Sequence, residues 1–198
     1  TGLAAWVSGL TDKSYEEITQ YTYDYRGNVS QRTDFASANF VTGDGAMTAA
    51  ATVTQYIYDA HGLLRQTIVE RGTNRTNGTT LTSFGYDGLG RETSRTSAAG
   101  TQTTVYDDKN STITITTGAG EKIVSTYNGV GQLTSVVSSD PNVAGSQRVA
   151  QYFYDSQGRL AMTQDAQGNR RFSFYDGLGR LQYAVDSTGA VCAYAYNG

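Results

Sequence analysis

The chain has 198 residues and a net charge of −3, and only 17% of its residues are charged, below the usual quarter or so. With 38% apolar residues, 23 Gly, 15 Tyr and one Pro, it suits pleated, half-wet sheet and tight turns better than a thick apolar core. The acidic balance and the lack of a Lys/Arg cluster argue against a nucleic-acid groove, the lone Cys192 excludes an internal disulfide or a cysteine metal cage, and no apolar run approaches the ~20 residues of a membrane helix.

Residues 1–20 are the least repetitive part, an irregular lead-in in which Trp6, with Leu3 and Val7, fits a helical turn or a strand covering the array's end, the strand being the reading preferred. No basic stretch followed by an apolar segment opens the chain, so no signal peptide is expected in it. Tyr21, Tyr23 and Tyr25 then recur with period two, the mark of a strand. They lead into the first motif, Tyr23-Asp24-Tyr25-Arg26-Gly27-Asn28-Val29.

The second motif, Tyr58-Asp59-Ala60-His61-Gly62-Leu63-Leu64, lies 35 residues on. The excess falls on Asn39 to Ala51, Gly/Ala/Thr-rich and containing Gly43-Asp44-Gly45, the composition of a surface loop. Tyr86-Asp87-Gly88-Leu89-Gly90-Arg91 follows after 28 residues, with the polar stretch Arg71 to Gly78 absorbing the extra length. Tyr106-Asp107-Asp108-Lys109-Asn110 comes 20 later, with Asn110 in the glycine slot, where it is expected to hold positive φ. Thr112 to Thr116 alternates strictly with two isoleucines, and Tyr127-Asn128-Gly129-Val130-Gly131 begins 21 residues after Tyr106. Ser138 to Ser146, holding the only proline, accounts for the delay before the next motif.

The last two full copies are the cleanest. Tyr154-Asp155-Ser156-Gln157-Gly158-Arg159-Leu160 and Tyr175-Asp176-Gly177-Leu178-Gly179-Arg180-Leu181 start 21 residues apart, and Tyr196 opens another 21 further on. Between them lie Asp165–Gly168 and Asp186–Gly189, so Gly168 follows Gly158 by ten residues, as Gly189 follows Gly179 and Gly100 follows Gly90. A fixed period near twenty residues marks a repeat array, here residues 21–198 with no internal boundary.

The unit has a physical reading. Asp at the first turn position accepts a backbone N–H two residues on, and Gly at the fourth takes positive φ, giving a three-residue hairpin loop with a one-residue bulge. Asp155 then lies opposite Arg159, a cross-strand ion pair contributing about 0.2–1 kcal/mol, and Tyr154 lies opposite Leu160. Asp176/Arg180 and Asp87/Arg91 repeat the ion pair, while Tyr175/Leu181, Tyr127/Leu133, Tyr58/Leu64 and Tyr23/Val29 repeat the aromatic–aliphatic one. The predicted fold is all-β, a repetitive hairpin ribbon. Strands are predicted at 21–24, 55–59, 63–69, 83–86, 104–106, 112–116, 123–127, 133–137, 151–155, 159–164, 171–175, 180–185 and 192–196, with helix nearly absent. Seven repeats at about 10 Å each would extend the sheet on the order of 70 Å, and its ends would expose strand edges open to self-association. The chain begins mid-pattern at Thr1 and stops inside a motif at Gly198, and reads as a piece of something longer.

Sharper chemistry finds little support in the spacing. His61, the only histidine, sits in a turn with no nucleophile spaced for it. The aspartates stand singly at turn starts, without the density of a calcium loop, and Asp24, Asp59 and Asp87 are equivalent repeat positions and not a glycosidase pair. Asn28-Val29-Ser30, Asn74-Arg75-Thr76, Asn77-Gly78-Thr79 and Asn110-Ser111-Thr112 match a glycosylation pattern in a chain already rich in Asn and Thr. Cys192 is expected as a small buried apolar group. No enzymatic activity and no cofactor are expected. The tyrosines either pack the sheet or offer stacking faces to a sugar.

The string Tyr-Asp-x-x-Gly-Arg-Leu near a 21-residue period, with Asp-x-x-Gly between copies, resembles the YD repeats of Rhs proteins. That family takes in bacterial polymorphic toxins, the C components of insecticidal toxin complexes and the teneurins. The resemblance rests on Tyr23, Asp24 and Gly27; Tyr58, Asp59 and Gly62; Tyr86, Asp87, Gly90 and Arg91; and Tyr106, Asp107 and Asn110. It continues through Tyr127 and Gly131; Tyr154, Asp155, Gly158 and Arg159; and Tyr175, Asp176, Gly179 and Arg180. It implies an open segment of a β-shell that encloses or scaffolds a C-terminal effector in a larger secreted or surface protein, with flanking repeats and that effector as partners. The family's autoproteolytic aspartate is not carried over, because Asp140-Pro141-Asn142-Val143 departs from its motif. The other reading is a module that binds carbohydrate or protein through exposed tyrosine rows. The two part on whether the motif tyrosines pack against neighbouring repeats or face solvent.

Overall fold

The computed structural model describes residues 18–35, 51–71 and 77–197. The expectations for the lead-in around Trp6, for the 39–51 insertion up to residue 50 and for the centre of the 71–78 loop lie outside the described residues.

All regular structure among the described residues is antiparallel β-strand, with no helix. The chain divides into two compact units, residues 1–101 and 102–198. The first holds β1 (Ile18–Tyr23), β2 (Val29–Phe35), β3 (Thr52–Tyr58), β4 (Leu64–Arg71), β5 (Asn77–Tyr86) and β6 (Glu92–Ser97). β7 (Gly100–Asp107) starts at the division. The second unit continues with β8 (Thr112–Thr116), β9 (Lys122–Tyr127), β10 (Leu133–Ser139), β11 (Arg148–Tyr154), β12 (Leu160–Gln164), β13 (Arg170–Tyr175), β14 (Leu181–Val185) and β15 (Val191–Ala193). Within each unit the strands neighbour one another in sequence order, an open meander without crossovers.

The motif sets the register. Tyr23 pairs with Val29, Tyr58 with Leu64, Tyr127 with Leu133, Tyr154 with Leu160 and Tyr175 with Leu181. Each pair follows a register shift: Phe153 faces Met162 while Tyr154 faces Leu160, so Ala161 is the extra residue of a bulge. Two strands, β2 and β6, were not among those predicted. Their sequences, Val-Ser-Gln-Arg-Thr-Asp-Phe and Glu-Thr-Ser-Arg-Thr-Ser, lack the aromatic or aliphatic alternation that marks a strand, and they are strands because the hairpin turn before each delivers them alongside a partner.

Alternation divides the residues between two faces. Along β11, Ala150, Tyr152 and Tyr154 are half-buried, while Val149, Gln151 and Phe153 are exposed. In register with Phe153 on that open face stand Met162, Phe172, Val185 and Val191, and Phe174 pairs there with Tyr183. Full burial among the described residues is confined to Thr33, Phe35, Ala51 and Val53 in the first unit, where Thr33 and Val53 are cross-strand partners. Stability elsewhere must come from sheet ladders and from the turns. The Ser138–Ser146 stretch closes the β10–β11 hairpin with two successive turns: Val143 N–H donates to Asp140 O (3.1 Å) and Ser146 N–H to Val143 O (3.2 Å). Ser146 Oγ ties the loop's base by bonding Asp140 N and Asp140 O, both at 2.8 Å.

Candidate functional site: the interlocked turn edge

The Asp155–Arg159 turn shows how the motif is built. Asp155 N–H donates to Arg159 O (2.9 Å) and Gly158 N–H to Asp155 O (3.0 Å), with Gly158 at φ 80°. This is the three-residue loop with a left-handed glycine that the sequence implied. Asp155 Oδ1 accepts the N–H groups of Gln157 and Arg159, both at 2.9 Å, and its Oδ2 takes Arg159 Nε at 2.7 Å. One carboxylate therefore satisfies two turn N–H groups and pairs with a guanidinium. The Asp176 and Asp87 turns repeat the arrangement with Arg180 and Arg91. The N–H bond from the residue four positions on comes first, with the arginine pair beside it, in holding Asp59, Asp87, Asp155 and Asp176 below the ordinary carboxylate value.

Elsewhere Oδ2 finds another donor. Asn28 Nδ2 serves Asp24 (3.0 Å) and Asn169 Nδ2 serves Asp165 (2.9 Å). Those amide bonds are the leading reason the two carboxyls are held low. Asp59 has Leu63 where the arginine would be, and Arg65, from β4, reaches back to it at 2.8 Å. The sequence reading missed Arg65; an arginine two places late after an empty slot was its signal. The Asn128–Gln132 turn keeps the geometry with neutral groups, Asn128 Nδ2 donating to Gln132 Oε1 at 2.8 Å. Thr117 stands in for Asp in a further turn, where Thr117 N–H meets Glu121 O and Gly120 N–H meets Thr117 O, both at 2.9 Å.

Two expectations need correction. Asn110 does not hold the left-handed conformation; Ser111 does, at φ 52°. Without glycine in the fourth slot the loop lengthens by a residue, so Asp107 pairs with Thr112 and Tyr106 with Ile113, without a register shift. Cys192 is exposed and not buried, because among the described residues β15 pairs with β14 alone. His61 is an exposed turn residue whose backbone N–H caps Asp59 at 2.9 Å.

The motif side chains also connect one turn to the next. Five motif hydroxyls donate to the carbonyl of the residue paired with the tyrosine before them: Tyr58 to Val29 O (3.1 Å), Tyr86 to Leu64 O (2.8 Å), Tyr154 to Leu133 O (2.8 Å), Tyr175 to Leu160 O (2.9 Å) and Tyr196 to Leu181 O (2.7 Å). In the other direction, guanidinium groups lie over the next ring, Arg65 over Tyr86 at 5.2 Å, and Arg159 over Tyr175 and Arg180 over Tyr196 at 4.6 Å. Gln132 Nε2 reaches forward to Gly158 O at 2.7 Å. Tyr58, Tyr86, Tyr106, Tyr127, Tyr154 and Tyr175 are all half-buried, whereas Tyr23, which opens the series, is 62% exposed.

No family model and no curated relative matches the chain. Among solved structures, 96% of it is similar to 13% of a chain in the Photorhabdus luminescens Tc holotoxin pore carrying a TccC3 mutation, at 18% identity and a TM-score of 0.48. A second similarity, to TcdB2–TccC3 without its hypervariable C-terminal region, covers 90% of the chain and 13% of that one, at 16% identity and a TM-score of 0.32. In both cases the chain spans 13% of the structure's chain that it resembles.

Proposed function

We propose that the chain is a structural YD-repeat segment of a larger secreted or surface toxin-type protein, a stretch of β-wall that encloses or scaffolds an effector and catalyses nothing itself. The observation that carries this is the direction of the motif tyrosines: the hydroxyls of Tyr154, Tyr175 and Tyr196 bond to the preceding repeat, and guanidinium groups lie over the rings of Tyr175 and Tyr196. Side chains committed in this way tie successive hairpins together and leave few free stacking faces. The partners in this reading are flanking repeats and the enclosed effector. The test replaces Tyr154 and Tyr175 together with Phe. Loss of two hydroxyl bonds should cost about 1 kcal/mol each and lower the melting temperature, with no change in retention on a glycan panel. Unchanged melting together with lost glycan retention would instead make the tyrosines a ligand surface.

A second reading, a carbohydrate- or protein-binding module, is favoured by aromatics outside the motif positions: Tyr25 is 89% exposed and Phe174 51%. Glycan retention abolished by Phe174→Ala but not by the tyrosine-to-phenylalanine pair would support it.

A further inference from the structure

The Asn128 turn differs from the other motif turns in reactivity as well as in charge. It holds an amide where they hold a carboxylate, and the next residue is Gly129, with no side chain to shield its backbone nitrogen. Gly129 is exposed, and among the described residues its N–H donates no hydrogen bond. The carbonyl it would attack is drawn on from two sides: Asn128 Oδ1 accepts the N–H groups of Val130 (3.1 Å) and Gln132 (2.9 Å). Two donors aimed at one carbonyl oxygen stabilise the negative charge that gathers there when a nucleophile adds to its carbon.

The same amide is the first link of a relay into the neighbouring motif turn. Asn128 Nδ2 donates to Gln132 Oε1 at 2.8 Å, and Gln132 Nε2 donates to Gly158 O at 2.7 Å. Asp87 and Asp176 also precede glycine. Their carboxyls are held below the ordinary value by the backbone N–H groups of Arg91 and Arg180 and then by those guanidinium groups. A carboxylate kept ionised in this way repels a nucleophile and has no ready leaving group. Asn128 is the motif position where the glycine nitrogen faces a neutral, activated carbonyl.

We propose that Asn128 is a site of spontaneous deamidation in the folded chain, and that the change unlinks its turn from the Gly158 turn. The Gly129 nitrogen gives up its proton and attacks Asn128 Cγ. The new N–Cγ bond closes a cyclic imide as the Cγ–Nδ2 bond breaks and Nδ2 leaves as ammonia. Water then opens the ring, at Cγ to give an aspartyl side chain or at the backbone carbonyl to give an isoaspartyl linkage. Either product lacks the Nδ2 donor. In the aspartyl form Gln132 must turn its amide to donate to the new carboxylate. That sets Oε1 against Gly158 O, acceptor against acceptor, and the bond between the turns is lost.

The test incubates the whole chain at neutral pH, folded and in urea, and follows each asparagine by peptide mapping with mass spectrometry. The mapping separates Asn128 from the Asn77–Gly78 and Asn197–Gly198 pairs. In the folded chain Asn128 should convert roughly tenfold faster than Asn28, Asn142 and Asn169, none of which precedes glycine. Gly129→Ala, at a position with open space around an added Cβ, should keep the fold and slow conversion by a similar factor. Conversion in urea but not in the folded chain would overturn the proposal, as would Gly129→Ala converting as fast as the parent. If that variant does not fold, the comparison of folded chain with urea decides. For the unlinking, Asn128→Asp should melt below the parent, and adding Gln132→Arg should restore the melting temperature by recreating the Asp155–Arg159 arrangement. Asn128→Asp melting with the parent, or the double variant staying low, would overturn that half.

Discussion

The Tyr154–Leu160 turn and the Tyr106–Ile113 turn perform the same task with one residue different in kind. The first has Gly158 in the fourth slot at φ 80°, a bulge and a three-residue loop. The second has Asn110 there, no register shift, a loop one residue longer and Ser111 at φ 52°. The aspartate survives the change. Asp107 Oδ1 still accepts a backbone N–H, from Asn110 at 3.1 Å, and its Oδ2 takes the Asn110 amide at 2.7 Å. The comparison assigns the roles: aspartate caps the turn whatever its length, and glycine decides the length.

The largest expected effect tests the shared half of that comparison. Asp24, Asp59, Asp87, Asp107, Asp155, Asp165, Asp176 and Asp186 are all held below the ordinary value of 3.8. A carboxyl that titrates lower in the fold than in the unfolded chain contributes stability that is complete above the unfolded value. That stability is lost as pH falls through the folded one. The melting temperature should therefore be steady near about pH 5 to 6 and drop steeply below about pH 4, all eight turns contributing. A melting temperature as high at about pH 2.5 as at about pH 5 would mean that the aspartates do not hold the turns.

Next in size is the glycine itself. Gly158→Val and Gly179→Val each force a β-branched residue to φ 80°, costing about 1–3 kcal/mol. At Gly158 an added Cβ also meets Gln132 Nε2 at 3.1 Å. The paired variant should melt well below the parent, and equal melting would refute the turn geometry. The smallest effect has the opposite sign. Ser111→Gly relieves a left-handed serine and should stabilise by up to ~1 kcal/mol, less the entropy that a glycine loses on folding. Chemical denaturation resolves a shift of that size, and a destabilised Ser111→Gly would show that the serine side chain matters more than its backbone angle.

Much of this molecule follows from the sequence alone. The spacing of Tyr154, Asp155, Gly158, Arg159 and Leu160 determines the turn, the ion pair and the Tyr–Leu register, because all are settled within seven residues by local backbone preference and hydrogen bonding. The same logic placed the strands on either side of nearly every motif. It did not find β2 and β6, whose polar sequences take strand form from their partners. Nor did it find Arg65 as the partner of Asp59, or Ser111 in place of Asn110. Beyond its reach were the contacts between turns: Tyr175 to Leu160 O, 15 residues apart, and Tyr86 to Leu64 O, 22 apart. Those depend on which turn lies beside which once the strands are paired, and on whether a side chain is long enough to span the gap. Only the tertiary structure decides that, because the lateral spacing of hairpins is a property of the sheet and not of any one repeat.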